Sequence, residues 1–173
     1  ELDIIPAALV IGGGITGITA ATTLARQGFQ VHLVEKEAEL GGMLKRLYKL
    51  EPTDRDSAEV LREAITALKA NSQVHIHTST LVSQVSGFIG KFNVTLQPNN
   101  PGQTEQIEVG TIIVATGAEP LKPIGYYGYS ENPNIITELE LEQLLRNGKL
   151  KKPEKVVMIQ CVGTREKTLR TYC

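Results

Sequence analysis

Residues 7–17, AALVIGGGITG, constrain this chain more than any other stretch. Five apolar residues at 7–11 are halted by Gly12-Gly13-Gly14, which reads as a short buried strand. Residues 15–27 are rich in small side chains and end at Gly28, as a helix would. Residues 29–35 read as the next strand, so residues 7–35 make a βαβ unit of about 30 residues, the length such a unit needs. Gly12-x-Gly14-x-x-Gly17 sits at the strand–helix join, and Glu35 ends the second strand, 18 residues beyond Gly17. Each position has a physical task. Gly12 permits the tight turn, Gly14 lets the backbone approach a pyrophosphate, and Gly17 with Ala21 lets the helix lie close to the sheet. The helix N-terminus presents unpaired N–H groups and about half a positive charge to phosphate. Glu35 suits the two ribose hydroxyls and would repel a 2′-phosphate, which argues against NADP. The competing reading is a glycine-rich turn with no ligand, and a surface carboxylate at 35. The complete context of strand, glycines, helix, small residue and acidic strand end favours a dinucleotide.

The rest of the chain reads as follows. Gly41-Gly42 breaks the chain after Leu40, and 50–56 is a polar loop. Asp56 with Glu59 is a weak capping signal for a helix at 58–70, whose apolar positions fall on one face. Short strands at 73–77, 81–86, 92–97 and 105–109, separated by turn residues, look like an antiparallel meander. A final buried strand at 111–114 follows. A loop rich in Pro, Gly and Tyr covers 118–134, and Thr137-x-x-Glu140 opens a helix at 138–146. Residues 149–155 resemble a linker, and 156–159 (VVMI) another buried strand. The expected fold is α/β: a Rossmann-like domain with a parallel central sheet and an antiparallel meander. Residues 1–150 form the dinucleotide-binding domain, and 151–173 a linker and the start of a second α/β unit. The start at Glu1 and the stop at Cys173 without a closing element suggest a piece of a longer protein.

Composition narrows the function classes. Charged residues are 21% and the net charge is −1, which disfavours bulk nucleic-acid binding. No apolar run reaches the roughly 18–20 residues of a membrane span, and no basic n-region marks a signal peptide. The two cysteines, Cys161 and Cys173, lie in a chain without secreted-scaffold character, which points to a reducing compartment and to ligand or redox roles. Cys161 has neither a Cys-x-x-Cys pair nor an obvious His partner, so on its residues alone it reads as a buried structural cysteine. His75 and His77 alternate on a strand and share a face, but zinc needs further ligands. His32 reads as a packed or edge histidine. Tyr126, Tyr127 and Tyr129 either stack on a ring or partner, or belong to a loop covering the core, which is favoured.

The fingerprint alone does not separate NAD from FAD. Gly41-Gly42-Met43 is a second glycine turn soon after Glu35, and 111–117 (TIIVATG) ends a strand in small residues after a meander. That order is the one by which two-dinucleotide-domain flavoproteins return the chain to their cofactor. The segments ALVIGGGITGITAATTLARQGFQVHLVEKEAELGG, VSGFIGKFNV, IIVATGAEPLKP, PNIITELELEQLL and KVVMIQCVGTR resemble the heterodisulfide reductase A-subunit family over about residues 7–173. QCVGTR with Cys173 twelve residues after Cys161 is the most specific piece; it is similar to the family's QCVGSR followed by a YCSxxCC-type motif. The resemblance implies a cytoplasmic FAD and iron–sulfur oxidoreductase with a thioredoxin-reductase-like core. It implies FAD pyrophosphate over Gly12, Gly14, Ile15, Thr16 and Gly17, ribose at Glu35 with Lys36 beside it, and adenine at the Val82 backbone. Gly42, Met43, Ala115, Thr116 and Gly117 carry over as flavin-side contacts. Cys161 and Cys173 carry over as two of the four thiolates of a 4Fe–4S cluster, which this fragment alone is not expected to hold. The implied partners are other subunits of such a reductase and an electron donor or acceptor. Three departures stand out. Residues 50–60 lack the cysteines relatives often carry there, the N-terminal extension and ferredoxin-like inserts of the larger family members are absent, and no second GxGxxG follows residue 159. The expected function is FAD-dependent electron transfer with no side chain forced into a catalytic role. The alternatives are an apo assembly scaffold and half of an NAD-dependent oxidoreductase.

Overall fold

A computed structural model of the chain describes residues 4–100, 102–153 and 155–164. The chain divides into two compact units: residues up to Lys45 with Lys49–Gly117, and Arg46–Tyr48 with the chain from Ala118 onward.

The first unit is built on a parallel sheet. Strand β1 (Ala7–Ile11) leads into helix α1 (Ile15–Arg26), which returns the chain to β2 (Gln30–Val34). A short 3-10 turn, Gly42–Lys45, follows, then the two-residue strands β3 (Lys49–Leu50) and β4 (Arg55–Asp56). Helix α2 (Ser57–Lys69) starts where the Asp56 carboxylate accepts the N–H groups of Ala58 and Glu59 at 2.8 and 3.1 Å. Strand β5 (Val74–His77) comes next, then β6 (Thr80–Phe88), β7 (Lys91–Pro98), β8 (Glu105–Val109) and β9 (Thr111–Val114). The sheet order is β5-β2-β1-β9, all neighbours parallel. Strands β6, β7 and β8 form a separate antiparallel sheet.

Three layers result. Alternate residues of each parallel strand face opposite ways. Val10, Val31 and Leu33 pack with Ile18, Ala21, Ala25 and Leu68 of the helices. Ala7, Leu9 and Val34 pack on the other face with Val94, Leu96, Ile107 and Val109 of the antiparallel sheet. Leu9 is 0% exposed. Leu9→Ala is expected to cost about 2–5 kcal/mol, read as a lower denaturation midpoint with unchanged urea dependence.

Three sequence expectations are corrected. Residues 73–77 do not open the meander; β5 pairs with β2 and completes the parallel sheet. Helix α2 supplies the crossover that parallel neighbours need. The 111–114 strand is not fully buried, because among the described residues β9 has one neighbour only, and Val114 is 70% exposed. Residues 156–159 are not a strand; Val157 is 84% exposed, and these residues have no paired neighbour among the described residues. An apolar run becomes a sheet strand only where a partner backbone takes its hydrogen bonds.

In the second unit, α3 (Glu138–Arg146) carries the predicted capping box. The Thr137 hydroxyl oxygen accepts from Glu140 N–H, and Glu140 accepts in return from Thr137 N–H at 2.7 Å. Tyr129 O–H donates to Glu140 Oε1 at 2.9 Å, and Tyr48 N–H donates to Glu142 Oε2 at 2.7 Å. The bond to Glu140 raises the Tyr129 phenol above its ordinary range. The tyrosine loop thus uses Tyr129 to pin α3, while Tyr127 is exposed.

Candidate dinucleotide-binding site

The strand-to-helix loop is assembled by backbone packing. At Gly12, φ is +111°, and a Cβ would collide with the Ala115 carbonyl oxygen. At Gly17 a Cβ would collide with the Gly12 carbonyl oxygen. Ala115 N–H donates to Ile11 O at 2.8 Å, which draws the end of β9 alongside the loop. Gly12, Gly17 and Ala115 are therefore locked together by contacts only small residues permit.

The second glycine turn lies against the same loop. Gly41 N–H donates to Gly13 O at 2.8 Å, and Gly14 and Gly41 form an isolated parallel bridge. A Cβ on Gly42 would stand 3.1 Å from the Gly14 Cα. Gly13 belongs to this packing as well, although motif reasoning passes over it. At Gly13 a Cβ would press on Leu40 and on the Glu35 carboxylate at 2.9 Å. The run of three glycines at 12–14 is the signal in the sequence that points to it.

Glu35 is buried at the end of β2. Its Oε2 accepts Gly13 N–H at 2.7 Å and its Oε1 accepts Glu37 N–H at 2.9 Å. Its own backbone is held by His77 O, which accepts Glu35 N–H at 2.9 Å, and by Thr80 N–H, which donates to Glu35 O at 3.0 Å. The carboxylate therefore braces the glycine loop, and each oxygen keeps acceptor capacity for a hydroxyl.

Gly14 differs from its neighbours. Its backbone is extended (φ −76°, ψ 179°), a conformation any residue adopts. A Cβ there meets nothing nearer than Gly42 Cα at 4.0 Å. The protein's own packing does not demand glycine at 14. The space a Cβ would fill lies open in front of the α1 N-terminus. That terminus has no side-chain cap hydrogen bond and no acidic residue in its first turn. Its N–H groups and partial positive charge are left facing that space, which fits a pyrophosphate.

Ile15, Thr16, Lys36, Met43, Thr116 and Gly117 are exposed around this loop and its flanking turns. Gly117 has φ +71° and nothing within 4 Å of a built Cβ. Val82 lies on β6 two residues past Thr80, pairs with Leu96, and precedes a register shift. Its side chain is partly buried and packs on the second core cluster. Cys161 is exposed, with φ +58°, in a turn where its carbonyl accepts Thr164 N–H at 3.1 Å. The buried-cysteine reading is thereby corrected: the turn holds this residue at the surface. Cys173 lies outside the described residues. No group of three or more His, Cys, Asp or Glu among the described residues is placed to hold a metal ion. Among them, too, no helix is long and apolar enough to cross a membrane.

A glycine loop braced by a buried acidic strand end and backed by a second glycine turn defines a dinucleotide-binding α/β domain of the flavoprotein kind. The chain belongs to the pyridine nucleotide-disulphide oxidoreductase family, which it matches over residues 6–159. Members of that family are FAD-dependent oxidoreductases. Among its relatives, the first iron-sulfur A-subunit of the CoB–CoM heterodisulfide reductase of Methanopyrus kandleri is 29% identical, covering 100% of this chain and 40% of the relative. The A-subunit of the H2:CoB-CoM heterodisulfide,ferredoxin reductase of Methanothermobacter marburgensis is 28% identical over 96% of this chain and 38% of its own length. The chain thus spans about 40% of the length of these relatives. The first alignment runs over 266 positions against 173 residues here, so that relative carries additional residues inside the matched span. Among solved structures, L-proline dehydrogenase from P. horikoshii is similar at TM-score 0.58 and 29% identity, over 66% of this chain and 23% of that one. Lactococcus lactis thioredoxin reductase shares the fold at TM-score 0.56 and 21% identity, over 67% of this chain and 37% of that one.

Proposed function

We propose that this chain is the FAD-binding part of an electron-transfer oxidoreductase of the heterodisulfide reductase A type. The observation that carries the reading is Gly14: the space a Cβ would fill before the α1 N-terminus is open, and the protein's own packing does not call for glycine there. Gly12, Gly14, Ile15, Thr16 and Gly17 would hold the pyrophosphate, and Glu35, with Lys36 beside it, the adenosine ribose. The Val82 backbone would meet the adenine, and Gly42, Met43, Ala115, Thr116 and Gly117 the flavin end. When bound, FAD supplies the redox chemistry through its isoalloxazine ring; the residues of this chain bind it, orient it and exclude water. Residues 1–150 constitute the binding domain and 151–173 lead towards a second α/β unit.

The iron–sulfur reading is narrower. A 4Fe–4S cluster takes four thiolates, and this chain has two cysteines, so the residues present do not suffice. Cys161 and Cys173 are proposed as two ligands completed in a longer protein. The proposed setting is the cytoplasm, with other reductase subunits and an electron donor or acceptor as partners.

The test is the absorption spectrum of the purified protein after addition of FAD, with release and mass measurement of the chromophore. A flavin spectrum with the FAD mass supports the reading; a colourless protein that binds NADH instead overturns it. Glu35→Arg is expected to weaken FAD binding about 100-fold or more, because hydrogen bonds to a charged group are worth about 1.5–3 kcal/mol each. Unchanged affinity in titration calorimetry would remove the ribose from Glu35.

A further inference from the structure

The chain leaves the first unit at two places, and both follow residues proposed for the flavin end. Arg46–Tyr48 belong to the second unit and come directly after the 3-10 turn Gly42–Lys45, which carries Gly42 and Met43. Ala118, where the chain enters the second unit again, comes directly after Gly117. The excursion at 46–48 is short, because β3 of the first unit begins at Lys49. Three residues span about 11 Å at most. A stretch so short passes a displacement of its middle on to both ends.

The excursion is bonded to the helix of the second unit. Tyr48 N–H donates to Glu142 Oε2 of α3 at 2.7 Å, in a part-buried setting. A backbone N–H on a carboxylate is charge-assisted and among the stronger hydrogen bonds. Helix α3 is itself fixed, through its capping box and through Tyr129 O–H on Glu140. The turn before the excursion is fixed to the first unit. Gly41 N–H donates to Gly13 O, Leu44 N–H donates to Gly41 O at 3.2 Å, and the Leu44 side chain is buried. Along the chain, the end of the turn therefore lies between two anchors: Leu44 in the core of the first unit, and Tyr48 on α3.

We propose that Glu142 is a positioning residue: by holding Tyr48 N–H it keeps the turn Gly42–Lys45 in the conformation that receives the flavin end of the cofactor. The proposal rests on the FAD reading above. Glu142 acts through the backbone of 46–48, not on the cofactor. Linkage gives the proposal a quantitative form. Where the anchored turn binds FAD more tightly, bound FAD stabilises the anchor by the same factor. The Tyr48 amide reports the anchor, because its exchange with solvent requires the bond to Glu142 to open.

The test is hydrogen exchange of the Tyr48 amide by NMR, with and without saturating FAD, beside FAD titrations of two variants. FAD is expected to slow Tyr48 exchange about fivefold or more. The Leu141 amide, which donates to Thr137 O at the start of α3, is expected to stay unchanged. Glu142→Ala should weaken FAD binding by the factor seen at Tyr48, and speed Tyr48 exchange about 10-fold to 100-fold. Glu142→Gln should restore most of the affinity, because its amide oxygen accepts the same N–H. Bound FAD with unmoved Tyr48 exchange overturns the positioning role and leaves the FAD reading standing. Equal slowing at Leu141, or a Gln variant no better than Ala, overturns it as well. A wild type that binds no FAD overturns both. Should Glu142→Ala fail to fold, the exchange rates of the wild type still decide.

Discussion

Gly14→Val is expected to weaken FAD binding about 100-fold or more while leaving the fold almost untouched. The extended backbone at 14 suits valine, and a Cβ there approaches only Gly42 Cα, at 4.0 Å. Valine is a poor helix N-cap residue, but the glycine it replaces makes no side-chain cap bond, so the stability change is expected to stay within about 1 kcal/mol. The ligand side is different. A branched side chain in front of α1 keeps phosphate away from the helix N–H groups. Loss of two such charge-assisted bonds, at about 1.5–3 kcal/mol each, weakens binding about 100-fold to 10,000-fold. Titration calorimetry and a thermal melt on the same sample check both halves. FAD affinity within threefold of wild type would refute the placement of the pyrophosphate, and with it the observation on which the proposed function rests.

Gly17→Ala, three positions along the same motif, is expected to fail for the opposite reason. Within a helix, glycine to alanine ordinarily stabilises by about 1 kcal/mol. Here the new methyl would collide with the Gly12 carbonyl oxygen, and Val10 Cγ1 stands 3.4 Å away. Neither the backbone of the loop nor the strand beneath is a flexible tip that can turn aside. Net destabilisation of about 3 kcal/mol is expected, lowering the melting temperature by roughly 6–12 °C. A melting temperature equal to or above wild type would show that α1 can lift from the sheet without cost. The pair of variants separates a glycine required by the ligand from a glycine required by the fold, although the motif treats them alike.

The site is legible in the sequence where its rules are local. The strand, glycine turn and helix of 7–26, the acidic strand end at 35 and the capping box at Thr137 follow from neighbours a few residues apart. Asp56 as a helix cap follows in the same way. Gly13 escapes such a reading because its constraint comes from Leu40 and Glu35, far along the chain.

Periodicity and turn residues act within a few positions, and they suffice for the βαβ unit, its glycine turn and the short strands after α2. They do not choose partners. Alternation in 73–77 suits either kind of sheet, and only the pairing of β5 with β2 sets His75 and His77 beside His32. The apolar run at 156–159 has strand character, but its side chains are exposed because no neighbouring backbone pairs with it among the described residues. Glu35 bracing Gly13 likewise exists only in the assembled layers. The physical reason is the same in each case: a hydrogen bond between residues distant in sequence depends on loop closure and layer packing, which leave no local pattern to read.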